Sequence, residues 1–354
     1  MHGKIRVLVA DDSAFFRHHL SNILSAHEKI EVVGTARDGK AGVEAARALK
    51  PDVITMDVEM PIMDGISAVK RVMSEVPTPI LMLSSYTYAG AQATLNALQA
   101  GAVDFISKQN NGNSNNVERL SATLVQKVLA VSKHRVLKPV AVPVLKMTAQ
   151  TVPSRSRESP LVARQGGYDL VVIGASTGGP VAIQNLISSL PGDFSVPLVI
   201  AVHMPGNFTK AFAERLDSIC ALNVKEADNG DRLQAGSVLL APGGKQLSFS
   251  RKGADTFVCV NDGKQEETYK PSIDITLGSA AQVMRDSVLA VILTGMGADG
   301  CKGAGILKQN KSTVWSQDEA SCVIYGMPQA VEKKGFSDMV LPLSEIAQAL
   351  VKAV

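Results

Sequence analysis

Short, apolar, β-branched runs alternate with helix-length amphipathic stretches along this chain, and the alternation occurs twice. The first series has runs at Ile5–Ala10, Glu31–Thr35, Asp52–Met56, Pro79–Leu83 and Val103–Ile106. The gaps are too long for hairpins and long enough for a helix, which predicts a parallel sheet covered on both faces. A polar stretch, QNNGNSNN at 109–116, precedes a last amphipathic helix at about 117–132.

The rhythm then stops. Pro139, Pro143, Pro153 and Pro160 fall among Val, Ser and Arg, and residues 111–167 hold nine Lys+Arg against two Asp+Glu. This reads as a solvated basic connector. A second series begins at Tyr168. Strands are predicted at 169–173, 197–202, 237–241, 256–260, 288–294 and 312–316. Helices are predicted at 180–190, 207–219, 275–286, 300–310 and 343–353. The expectation is an α/β chain of three parts: a first domain at 1–132, a linker at 133–167 and a doubly wound, mostly parallel domain at 168–354.

Composition narrows the class. Of 354 residues, 45% are hydrophobic, enough for two cores. The opening MHGKIRVLVADD reaches an acidic pair without a cleavage site, and no apolar run approaches the ~20 residues of a membrane span. A cytoplasmic location without membrane insertion is expected. Cys220, Cys259, Cys301 and Cys322 match no metal or CxxC spacing, so reduced thiols are expected.

Ligands of parallel α/β sheets bind beyond the carboxyl ends of the strands. In the first domain those ends carry Asp11, Asp12, Asp57, Ser84 and Lys108. Crowded carboxylates call for a hard cation such as Mg²⁺. A carboxylate beside it can accept a phosphoryl group, which Ser84 and Lys108 could hold. Each of these residues alone is most simply a turn or a cap; five on one edge are not.

In the second domain, Gly174-Ala-Ser176-Thr-Gly178 lies between a predicted strand and a predicted helix, the context of a nucleophile elbow. A serine hydroxyl needs a base, and His203 is the one histidine of this domain, at the end of the next strand. The base needs an acceptor. Asp299, in the glycine-rich TGMGADG, is preferred; Asp274, in KPSID, is the alternative and opens a helix. Gly174, Gly178 and Gly179 also approach a dinucleotide fingerprint with Asp193 in range, but nothing else supports a nicotinamide. A DNA-binding output is a further alternative, opposed by the absence of a helix-turn-helix pattern.

VADDS, MDVEMPIMDG and DFISK resemble the receiver domain of response regulators, a flavodoxin-like fold with a five-stranded parallel sheet. The resemblance implies phosphorylation of Asp57, with Asp11, Asp12, Asp57 and the Glu59 carbonyl around Mg²⁺. It implies that Ser84 and Phe105 move on phosphorylation. Gln109 stands where the family usually has proline.

IGASTGGP, HMP, APGG, KPSID, LTGMGADG and QDEASCVIYGMP are similar, in order, to segments of the chemotaxis receptor methylesterases, the CheB family. That resemblance implies hydrolysis of glutamyl methyl esters on methylated chemoreceptors, and deamidation of receptor glutamines. It implies a chemotaxis histidine kinase as phosphodonor and no cofactor for the esterase. Ser176 is then the nucleophile, His203 the base and Asp299 its orienter, with the Met296 N–H as oxyanion donor and Thr177 lining the site. Val202 and Gln246 depart from the family pattern and are expected near the cleft. Without phosphate, the receiver is expected to cover the hydrolase edge.

Overall fold

A computed structural model describes residues 3–108, 114–133 and 167–354. The expected linker, apart from its end residues 133 and 167, lies outside them, as does Gln109. The first sheet is built by β1 (Ile5–Ala10), α1 (Ala14–Ser25), β2 (Ile30–Ala36), α2 (Gly39–Leu49), β3 (Val53–Asp57), α3 (Gly65–Glu75), β4 (Ile80–Ser84), α4 (Tyr88–Gln99), β5 (Asp104–Ser107) and α5 (Ser114–Val131). Strand order is β2-β1-β3-β4-β5, all parallel. The order reverses between β1 and β3, so Asp11 and Asp57 flank the switch point where such sheets bind ligands. All five β3 residues are buried, as a strand covered on both faces requires.

Local chemistry starts the helices. Ser13, Asp38, Asp64 and Thr87 each accept a hydrogen bond from the N–H three residues on, capping α1 to α4. Gly65 admits the α3 N-terminus beside β3. A Cβ there would lie 2.0 Å from the Asp57 carbonyl oxygen.

The second unit contains β6 (Leu170–Ala175), α6 (Gly179–Ser188), β7 (Leu198–Val202), α7 (Gly206–Ile219), β8 (Asn223–Glu226), β9 (Ser237–Leu240), β10 (Gln246–Lys252), β11 (Asp255–Asn261), α8 (Ile273–Met284), β12 (Val288–Ile292), α9 (Cys301–Gln309), β13 (Thr313–Gln317), α10 (Met327–Lys333), β14 (Met339–Leu341) and α11 (Leu343–Ala353). Seven parallel strands run β14-β13-β12-β6-β7-β9-β8. The central β6 and β12 form its switch point.

The strand expected at 256–260 is present as β11; it lies outside the main sheet, paired antiparallel with β10 in a separate hairpin. Only one face of QLSFSRK is apolar, and Gly253, at φ +62°, turns the chain. Strands β8, β10 and β14 and helix α10 are too short or too polar to stand out by periodicity.

The two units touch. Helix α4 lies against α7, where Tyr88 bonds Glu214, and Arg215 reaches Asn96 Oδ1 at 2.7 Å and Gln99. Phe105 of β5 stacks on Phe208 of α7, ring centroids 4.4 Å apart and planes 13° apart. Phe208 is fully buried.

Candidate active site and switch site

The nucleophile elbow forms because β6 ends at Ala175 and the chain must reverse into α6 at once. Gly178 makes the reversal, at φ +77°. A Cβ on it would lie 2.6 Å from Val323. Gly178→Ala is expected to lower stability by about 2–4 kcal/mol, from left-handed strain plus overpacking, read as a lower midpoint in urea unfolding. Thr294, following β12, braces the elbow: its carbonyl accepts the Ser176 N–H at 3.0 Å, and its hydroxyl donates to the Thr177 carbonyl at 2.9 Å.

Three strand ends bring the cluster together. Ser176 follows β6, His203 follows β7, and Asp299 lies in the loop after β12. His203 Nδ1 is 3.2 Å from Ser176 Oγ, and His203 Nε2 is 2.8 Å from Asp299 Oδ2. Asp299 accepts only, so it fixes the ring hydrogen on Nε2 and leaves Nδ1 to accept from the serine hydroxyl. The ring nitrogens are exchanged relative to the serine-protease triad, with the same roles.

Asp299 is 6% exposed and accepts from five groups. Oδ1 takes Ser272 Oγ, Asp274 N and Gly300 N; Oδ2 takes His203 and Ile273 N. Burial pushes its carboxyl up, but the His203 bond and charge and the backbone donors outweigh it and hold the pKa below 3.8. A depressed carboxylate stabilises the fold above its unfolded pKa and loses that contribution as pH falls through the folded value. The alternative, Asp274, accepts the Gly303 N–H and caps α9; it makes no bond to His203.

Ser176 and His203 open into a cleft. Thr177 and Met296 line the same cleft of about 460 Å³. Among the described residues neither N–H donates a hydrogen bond. Such free donors beside a nucleophile suit an oxyanion. The other wall belongs to the first unit: Phe105, Thr123 and Lys127 line the cleft opposite Ser176 and His203. Lys127 holds Phe105 in place, with Nζ 2.5 Å from Asp104 Oδ2 and 3.0 Å from the Phe105 carbonyl.

The cleft also contains residues that sequence reasoning missed. Tyr269 stacks on His203. It stands immediately before KPSID in a chain with five tyrosines, and that adjacency was the available signal. Of the two departures, Val202 is fully buried in β7 and does not line the cleft. Gln246 is 3% exposed and braces the loop before α8.

At the other edge, Asp11, Asp12 and Asp57 bring carboxylate oxygens within 4.8 Å of one another. Lys108 Nζ lies 2.6 Å from Asp11 Oδ2 and 2.8 Å from Asp57 Oδ2. Burial raises the Asp57 pKa to about 6, against the opposing Lys108 charge. Apart from the Lys108 contact, Asp11 Oδ2 is buried without a hydrogen bond, and the donor set is all oxygen. Both features fit a hard dication. Glu59 is exposed and lines a hollow with Asp12 and Asp64. Ser84 Oγ donates to the Gly90 carbonyl of α4 at 3.1 Å.

The competing chemistries find no support here. Asp193 is exposed in the turn before β7, and a Cβ on Gly174 would strike Ile273 at 2.6 Å, so packing accounts for that glycine. Burial raises the Cys220 thiol to about 11 and Cys322 to about 12; both stay protonated at neutral pH. No helix among the described residues is long and apolar enough to cross a membrane.

The fold and the two clusters define a class: a receiver-type α/β unit joined to a larger α/β unit that carries a serine, a histidine and an aspartate at its switch point. Family models match accordingly, the response regulator receiver domain over residues 7–116 and CheB methylesterase over residues 171–350. The chain is 50% identical over 369 residues to a Pseudomonas putida protein-glutamate methylesterase/protein-glutamine glutaminase, covering 99% of each chain. A Pseudomonas aeruginosa protein of the same description is 49% identical with the same coverage. The Thermotoga maritima CheB methylesterase catalytic domain is 40% identical, with a TM-score of 0.52, over 53% of this chain and 100% of that one. The chain belongs to the CheB methylesterase family.

Proposed function

We propose that this chain is a phosphorylation-controlled protein-glutamate methylesterase and protein-glutamine deamidase. The Ser176–His203–Asp299 geometry carries the reading. The substrates are glutamyl methyl esters on methylated chemoreceptors, the phosphodonor is a chemotaxis histidine kinase, and the setting is the cytoplasm. The division into residues 1–132, 133–167 and 168–354 separates switch, connector and enzyme.

The chemistry is acyl transfer in two steps. Ser176 Oγ attacks the ester carbonyl while its proton passes to His203 Nδ1. The Thr177 and Met296 N–H groups face the oxyanion, a contribution of about 3–4 kcal/mol per donor in related chemistry. Collapse expels methoxide, which leaves as methanol with the proton from His203. Water, deprotonated by the same nitrogen, then cleaves the acyl-serine to a carboxylate. With a glutamine side chain the leaving group is ammonia. No cofactor enters these steps.

Asp299→Asn tests the orienter. A carboxamide must aim its NH₂ either at the three donors on Oδ1 or at His203 and the Ile273 N–H, and both placements oppose donor to donor. The expected result is a fall in kcat of about 10⁴-fold, the scale of a lost tautomer. A steady-state methanol assay reads it.

At the switch, Asp11, Asp12, Asp57 and the Glu59 carbonyl would hold Mg²⁺, which would supply charge neutralisation for phosphoryl transfer to Asp57. Lys108 is placed to pair with a phosphoryl oxygen. Ser84 turning toward the phosphate gives up its bond to Gly90 on α4, the helix packed on α7. Phe105 is the second link, through its stack on Phe208. Both changes loosen the wall over Ser176.

A further inference from the structure

Tyr269 and His203 lie face to face. Their ring centroids are 4.2 Å apart and their planes differ by 3°. The imidazole is held at its edge by Ser176 and Asp299, which fix two in-plane directions. Neither stops the ring from tilting out of its plane. The tyrosine face does, lying flat against the imidazole in the cleft that both residues line. His203 is only 12% exposed although it lines that cleft.

The tyrosine is itself fixed. Gln246, 3% exposed at the start of β10, donates from Nε2 to the Tyr269 carbonyl at 2.8 Å and to Glu267 Oε2 at 2.9 Å. Its Oε1 accepts the Ser272 N–H at 2.8 Å. Ser272 in turn donates to Asp299 Oδ1 at 3.0 Å. One buried amide therefore ties the residue stacked on the base to the residue that orients it. An amide is both donor and acceptor, which this bridge requires.

We propose that Tyr269 is a positioning residue for the base. Its aromatic face, registered by Gln246, holds the His203 imidazole coplanar with Ser176 and Asp299. The hydroxyl is not required, because the stack uses the ring. When His203 takes the serine proton, the same face lies against the imidazolium, a favourable arrangement for a cation over a π-system. The inference rests on the assignment of His203 as base.

The test is steady-state methanol release by the full-length, phosphodonor-treated chain, with a helical peptide bearing a γ-methyl glutamyl ester as substrate. Tyr269→Leu is expected to lower kcat by about 10- to 100-fold, the scale of a reacting group displaced by about an ångström, with KM within about twofold of the parent. Tyr269→Phe is expected to restore kcat to within about threefold. Tyr269 is 37% exposed, so its loss leaves the core intact, and Tyr269→Ser replaces the leucine variant should that chain fail to fold. A leucine or serine variant with parental kcat overturns the proposal. So does a defect confined to KM, which would make Tyr269 a substrate contact, or a phenylalanine variant as impaired as leucine, which would place the role on the hydroxyl. Ser176→Ala in the same assay separates the layers. If it retains activity, the triad reading fails first; if it is inactive while Tyr269→Leu is normal, only the positioning role fails.

Discussion

Ser176→Ala is expected to release methanol from a γ-methyl glutamyl peptide about 10⁵- to 10⁶-fold more slowly than the parent. Removing a nucleophile from a triad costs about as much as removing all three members, because the groups act as a unit. His203 has no second hydroxyl to activate among its hydrogen bonds: one nitrogen meets Ser176 and the other Asp299. What remains is the pair of oxyanion donors acting on water. His203→Ala should fall to a similar floor, and the double variant should fall no further. Thermal unfolding should be nearly unchanged for Ser176→Ala, since the Ser176 side chain reaches a half-buried cleft rather than the core.

Phe105→Ala is expected to raise the activity of the unphosphorylated chain by about 10- to 100-fold and to shrink its response to a phosphodonor. The closed arrangement rests mainly on the Phe105–Phe208 stack. Burying a phenylalanine side chain contributes about 1.5–3 kcal/mol, and an aromatic pair adds about 0.5–1.5 kcal/mol. The polar contacts of Tyr88, Asn96 and Gln99 with α7 lie at the exposed rim, where each contributes little. Removing the ring therefore weakens closure more than removing any rim contact. Closure that is weaker by 1.4–2.8 kcal/mol is a 10- to 100-fold shift in a two-state equilibrium. Phe208→Ala is a poorer test. Phe208 also fills the core beneath α7, and its loss would cost about 3–5 kcal/mol of stability. Arg215→Ala, at the rim, is the control and should change basal activity less than about fivefold.

Much of this was legible in the sequence, for a physical reason. A strand buried on both faces must be a continuous apolar run, so β1, β3, β4, β6, β7 and β12 declare themselves. Parallel sheets bind ligands at strand ends, so reading those ends placed Asp11, Asp57 and Lys108 on one edge and Ser176 and His203 on another, where the structure also has them. The strand β11 was legible at 256–260, but its partner β10 was not, because QLSFSRK is half polar and neither run alone encodes the antiparallel pairing. Tyr269 was missed, and the bracing role of Gln246 was not foreseen, because each works through long-range contacts. Gln246 bonds residues 21 to 26 positions away, a relation no local periodicity encodes. The Phe105–Phe208 stack joins residues on opposite sides of the connector and has no sequence signature.

The coupling of Asp57 to Ser176 is tested most directly by one comparison. Methanol release from the peptide ester is measured for the full-length chain and for Asp57→Asn, each before and after a small phosphodonor with Mg²⁺. The parent rate should rise by at least about tenfold, as expected when a minor open state becomes the major one. The Asp57→Asn chain should keep its basal rate and show no response. A parent rate indifferent to the donor, or an asparagine variant that responds as the parent does, would contradict the control of Ser176 by Asp57.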